Sequence, residues 1–196
     1  MTASIILVVH PAEHALFDGA LTCEVVLPAR FDAGARVLMQ APSEALLKGL
    51  AVAEDVRGED PDDPKEATPT QQRIEAKLDL VLSLLGRLAR SQHETLPATP
   101  LRWSHRGLRL DVVSPQELAV GVAGVVTVQP ATWLSDHIEL PATLLAQAEG
   151  SQGMQHLWLQ FDTLGAGLAE AMDRHLFRLH RRQIAEARQS QHAARP

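Results

Sequence analysis

His10-Pro11-Ala12-Glu13-His14 spells the H-x-x-E-H order of inverted zinc proteases, in which two imidazoles hold a metal and the glutamate beside them serves as base. That chemistry needs both imidazoles on one face of a helix. The segment leaves a strand-like run and holds a proline that at best starts a helix, so it reads as an exposed turn with two ordinary histidines. Ser135-Asp136-His137 contains the residue types of a hydrolase triad, but consecutive side chains cannot relay a proton to one another, and a loop is expected. Neither G-x-S-x-G, nor G-x-x-x-x-G-K followed by Ser or Thr, nor G-x-G-x-x-G occurs in the chain. The expectation is a non-enzymatic protein with no catalytic residue, metal or cofactor.

Charge narrows the ligands. The net charge is -6, and seven acids between Glu54 and Glu66 against Arg57 and Lys65 account for -5 of it. The basic residues from Arg174 to Arg188 fall on a terminal helix, where cations complement the macrodipole, and Phe177 is the sole aromatic there to stack on a base. Nucleic acid is therefore not an expected partner. The single cysteine, Cys23, lies in an apolar run and reads as a small buried hydrophobe. Trp103, Trp133 and Trp158 are expected in the core or at its rim. The longest apolar runs, Ile5 to Val9 and Val120 to Val128, are far short of the roughly 20 residues of a membrane span, and the first residues lack the features of a leader, so a cytoplasmic chain is expected.

These residues must be positioned by short strands and a few helices. Ser4 to His10, Ala20 to Pro28 and Arg36 to Gln40 are rich in β-branched residues and read as strands, with turns at Asp18-Gly19 and Asp32-Ala33-Gly34. Ser43 can cap a helix from Glu44 to about Val56 with a stripe of Ala45, Leu46, Leu47, Leu50 and Ala53. After Pro100, runs at Leu101 to Trp103, Gly107 to Val113, Leu118 to Val128, His137 to Leu140 leading into Ala142 to Ala146, and Gln155 to Leu159 predict a small antiparallel barrel. A helix from about Ala166 to Gln189 presents Leu168, Met172, Leu176 and Leu179 to it.

Between the two halves lies an insertion. Gly58 to Thr70 is acidic and holds Pro61, Pro64 and Pro69, a composition that predicts a mobile linker. Thr68, Pro69 and Gln71 form a helix-start pattern, and Ile74, Leu78, Val81, Leu85 and Leu88 then step by four and three, the spacing of a coiled-coil seam. Leu at a with Ile and Val among the d positions disfavours a two-stranded coil. Leu82 and Leu84 widen the stripe, so the helix is expected to join three or four copies of the chain. The domain expectation is a barrel and terminal helix from 1–42 and 97–189, a helical insertion at 43–96 with acidic linker 57–70 and oligomerising helix 69–93, and a disordered tail at 190–196.

Leu101-Arg102-Trp103-Ser104-His105-Arg106-Gly107-Leu108-Arg109-Leu110, with its following strands and the closing Leu176 to Gln183, resembles a PilZ domain. The resemblance implies an α+β fold, a six-stranded antiparallel barrel with a terminal helix, and a role in cyclic di-GMP signalling in the control of motility, pili, biofilm or virulence. The inserted helix looks like that of the atypical, tetramer-forming PilZ proteins of xanthomonads. Ligand-binding members carry an Arg-x-x-x-Arg segment before the first strand and an Asp/Asn-x-Ser-x-x-Gly segment within the sheet. Ser104 and Gly107 match the second, Arg102 stands where the acid or amide belongs, and no arginine precedes Ala20. Without paired guanidinium groups to hold phosphate and stack on guanine, weak or absent cyclic di-GMP binding is expected. The chain is then expected to be a homotetrameric regulatory scaffold for a protein partner. The alternative is a nucleotide receptor using Arg102, Arg106 and Arg109.

Overall fold

The computed structural model describes residues 10–34, 36–58, 95–113, 116–150 and 153–193. The expected strand at Ser4 to His10 apart from His10 itself, most of the acidic linker, and the heptad helix with Ile74, Leu78, Val81, Leu82, Leu84, Leu85 and Leu88 lie outside them.

Six strands close a barrel: β1 (Cys23–Ala33), β2 (Ala98–Trp103), β3 (Gly107–Val112), β4 (Ala123–Val128), β5 (Ile138–Glu149) and β6 (Gln155–Phe161). Their order around it is β1-β2-β3-β6-β5-β4, and every adjacent pair is antiparallel. Closure removes the free edges that an open sheet of this size would present. Alternate residues point inward, so Leu101, Trp103, Leu108, Leu110, Val126, Val128, Leu140, Leu144, Leu157 and Leu159 fill the interior and are essentially inaccessible.

Two helices seal this core. α2 (Gln40–Gly58) contributes Leu47, and α3 (Ala166–Ala193) contributes Leu168, Met172, Leu176 and Leu179, the stripe expected from its sequence, together with Ala171. α2 and α3 are tied to each other by Glu54, which accepts from Arg178 Nε at 3.1 Å and Arg182 Nη2 at 2.7 Å. Two arginines of the basic cluster noted in the sequence thus face a carboxylate of their own chain. Among the described residues no helix is long and apolar enough to cross a membrane.

Several local expectations are corrected. His10-Pro11-Ala12-Glu13-His14 is no turn: Pro11 opens α1 (Pro11–Phe17), with the His10 ring as its N-cap. β1 runs through Pro28 to Ala33, because Pro28 stands where the strand changes partner. Its pairing with β2 ends at Pro28 opposite Ala98, and its pairing with β4 begins at Ala29 opposite Val128. Residues Arg36 to Met39 form no strand, since β1 already has a neighbour on each side, and Val37 and Met39 are left exposed. Ser43 does not cap α2, which begins at Gln40. Its hydroxyl instead donates to the Glu139 carbonyl and accepts from the Glu139 amide, pinning α2 to β5. Ala45 and Ala53 of the expected stripe face outward, and β4 begins at Ala123 rather than at Leu118. Trp133 lies half exposed in the turn between β4 and β5, whereas Trp103 and Trp158 are buried.

Candidate functional site

The pairing of the strands sets one row of side chains across the outside of the barrel: Glu24 on β1, Arg102 on β2, Arg109 on β3 and Trp158 on β6. Arg102 and Arg109 stand directly opposite each other, an arrangement that is repulsive on a sheet surface unless an anion lies between the two guanidinium groups. α1 supplies it. Glu13 accepts from Arg102 Nη1 at 3.2 Å and from Arg109 Nη1, and its side chain is only 10% exposed. Arg109 also donates through Nε to Asp111 Oδ1 at 2.9 Å, and His156 Nδ1 lies 2.6 Å from the same oxygen. Burial lowers the Arg109 pKa, but hydrogen bonds and charge from Asp111 and Glu13 together raise it, and the net direction is upward.

Apolar contacts hold α1 over this row. Ala12, Leu16 and Phe17 bury against Trp158, with Leu145, Ala146 and Ala148 beside them, in a cluster separate from the barrel core. The His10 ring stacks on Trp158 with centroids 4.5 Å apart, and the Arg102 guanidinium lies 4.7 Å from the centre of the Phe17 ring. The last turn of α1 leaves carbonyls without helical donors, and the β2–β3 turn provides them. Arg106 Nη1 donates to the Asp18 carbonyl at 3.0 Å and approaches that of Ala15 at 3.4 Å, while the Ser104 hydroxyl donates to the Leu16 carbonyl at 2.8 Å.

The residues of the degenerate motif are therefore brought together, and each has a task within the chain. Ser104 is buried, accepts from the Arg106 amide and shapes the turn. Gly107 passes so close to β6 that a Cβ there would lie 2.2 Å from the Leu159 carbonyl oxygen. Arg102 and Arg106 are both engaged by α1, and so is Arg109. Sequence reasoning noticed Glu13 only as a metalloprotease base and passed over Asp111, His156 and the Trp158 platform. The available signal was an acid next to Pro11 facing a basic strand, but only the strand register identifies its partners. His14 turns away to Asp18, at 2.7 Å, so the two imidazoles and Glu13 do not converge. Among the described residues no group of three or more His, Cys, Asp or Glu side chains is placed to hold a metal. In the Ser135-Asp136-His137 loop, Asp136 accepts from the His137 backbone amide.

A second polar group lies beneath α3. His175 is fully buried, packs 5.8 Å from the Trp103 ring, and has neither ring nitrogen in hydrogen-bond geometry with a partner. Burial, followed by the positive charges of Arg178 and Arg182, pushes its pKa down to about 4, against a weak opposing pull from the Pro130 carbonyl. Nearby, the Cys23 thiol donates to the Leu176 carbonyl, and burial raises its pKa to about 11, which makes it an inert packing group.

Comparison with known proteins places this geometry in context. Residues 47–189 match the family model described as "Atypical PilZ domain, cyclic di-GMP receptor". A pathogenic protein from Xanthomonas campestris, described as a tetrameric PilZ domain self-assembled via an unusual helical bundle, is 45% identical, with a TM-score of 0.74 covering 89% of this chain and 95% of that one. The PilZ domain of YcgR from Escherichia coli with cyclic di-GMP is 18% identical, with a TM-score of 0.37 over 45% of this chain and 76% of that one. The Bacillus subtilis inhibitor of motility is 17% identical, with a TM-score of 0.37 over 45% of this chain and 43% of that one. No curated protein matches the chain.

Proposed function

The chain belongs to the atypical PilZ family, and from that premise we propose that it is a non-enzymatic regulatory scaffold that binds cyclic di-GMP weakly or not at all. The observation that carries this reading is the occupation of the barrel arginines. A cyclic dinucleotide needs guanidinium groups for its phosphates and a flat surface for its guanines. Arg102 and Arg109 already share Glu13, Arg106 caps α1, and one face of Trp158 is taken by His10. A nucleotide entering here would have to displace a helix and expose a buried apolar cluster, which subtracts directly from its affinity.

The scaffold acts as a homotetramer held by the heptad segment, with Ile74, Leu78, Val81, Leu85 and Leu88 in the seam and Leu82 and Leu84 widening it. The resemblance to the self-assembling Xanthomonas campestris protein supports this, as does the heptad spacing. Several copies of one barrel face then engage an assembled protein target in the cytoplasm, where multivalency compensates for weak single contacts. The regulated process is of the kind PilZ domains serve: motility, type IV pili or virulence.

The second reading, a cyclic di-GMP receptor built on Arg102, Arg106 and Arg109, draws on the family's description and on the clustering of the three guanidinium groups. Calorimetric titration of the full-length protein separates the two. The absence of saturable heat at micromolar ligand supports the scaffold, and micromolar or tighter binding that Arg106→Ala weakens supports the receptor.

A further inference from the structure

We infer that the outer face of β2, β3, β6 and β5 is a helix-binding groove which α1 fills in cis, and that its external ligand is a short acidic, apolar helix of a partner protein. This rests on the reading above that the arginine pair is a carboxylate site and not a phosphate site.

Three observations carry it. First, α1 is seven residues long, too short to be stable as an isolated helix, so its structure comes from the surface it sits on. Second, its apolar residues join Trp158 in a cluster of their own, apart from the core that holds the barrel together, so the barrel does not depend on α1 for its interior. Third, the contact is a recognition pattern. Ala12, Leu16 and Phe17 fill the apolar trough, Glu13 enters the Arg102 and Arg109 pair, and Ser104 and Arg106 receive the helix's last carbonyls.

Occupation is also adjustable. The chain leaves α1 through Gly19, whose positive φ of 66° makes a turn that glycine adopts without strain. Release of α1 removes the carboxylate that the two cross-strand arginines share, leaving Arg109 with Asp111 at 2.9 Å and Arg102 with Glu24 at 3.8 Å, so the open groove lacks one anion between the pair and favours a carboxylate from another source. A partner helix with Glu one residue after a small apolar residue, and a large apolar pair three and four residues beyond that Glu, reproduces every contact α1 makes. Such a partner competes with α1, and the fraction of open groove sets its apparent affinity.

The test uses full-length protein and a fluorescein-labelled peptide with the sequence of residues 10–21 as a stand-in for the partner helix. Glu13→Arg puts a third cation beside Arg102 and Arg109, and Leu16→Ala truncates the most deeply buried apolar side chain of α1; each should release α1 by a different route. Expected is peptide binding to both variants at least tenfold tighter than to wild type, abolished when the peptide carries Arg at the Glu13 position. In parallel, amide exchange of residues 11–17 should rise in the variants while β2, β3 and β6 stay protected. Absence of peptide binding to variants with a protected barrel overturns the proposal. So does loss of barrel protection in both variants, because α1 is then part of the fold and not a ligand. Growth of the wild-type assembly with concentration, suppressed by the peptide, would give the groove to α1 of a second copy and overturn the assignment to a partner. Nucleotide affinity is read separately by calorimetry, so failure of this inference and failure of the scaffold reading give different results.

Discussion

Arg109 on β3 bridges two carboxylates, donating to Glu13 of α1 and to Asp111 two residues along its own strand. The cation is thereby neutralised from both sides within the chain, and the helix that brings Glu13 covers the adjoining Trp158. Four consequences are measurable.

Gly107 is held as glycine by the close approach of β6. Since a Cβ would meet the Leu159 backbone oxygen at 2.2 Å, Gly107→Ala must push β3 from β6, at a cost of roughly 2 to 3 kcal/mol. Gly49 on α2 has open space around it, and Gly49→Ala should stabilise by about 0.5 to 1 kcal/mol through helix propensity. Urea unfolding of the two variants should therefore move the midpoint in opposite directions.

His175 makes stability depend on pH. Its folded pKa, about 4, lies below the ordinary 6.5, so the unfolded chain takes up the proton first. Stability contributed by the neutral ring is present above pH 6.5 and is lost as pH falls toward 4, by about 2 kcal/mol between pH 7 and pH 5. His175→Leu should flatten this dependence by that amount in paired urea titrations at the two pH values. An unchanged slope would show that His175 is protonated without penalty in the fold.

Assembly is the third consequence. Light scattering of the intact protein should give the mass of four chains, and Leu78→Asp/Leu85→Asp should reduce it to one while the far-ultraviolet signal of the barrel persists. Both proteins running as monomers would assign the heptad helix to its own chain.

How much of this was readable beforehand follows from the range of each interaction. The strands after Pro100 alternate apolar and polar residues or run continuously apolar, and the α3 stripe repeats at helical spacing, so both were legible from local pattern alone. Pro28 misled because a proline ordinarily ends a ladder, and only the closed barrel shows that β1 changes partner there. The apolar residues at 37–39 look like strand, yet no neighbouring strand has room to pair with them. Ser43 carries an N-cap side chain that the fold uses against Glu139 instead. The site was the least legible part. Arg102, Ser104, Arg106 and Gly107 were singled out, but the facing of Arg102 and Arg109 is a matter of register, and Glu13 lies 89 residues from Arg102 in the chain. No spacing rule links such a pair.

The central claim, that Arg102 and Arg109 are paired with a carboxylate of their own chain, is tested most directly by a double-mutant cycle on Glu13 and Arg109, with the unfolding free energies of Glu13→Ala, Arg109→Ala and the double variant measured in urea at pH 7. The expected coupling is about 1 to 3 kcal/mol in favour of the pair. A coupling within about 0.3 kcal/mol of zero, the limit of additivity for groups that do not interact, would mean that Glu13 does not hold Arg109, which then keeps Asp111 alone, and would contradict the account.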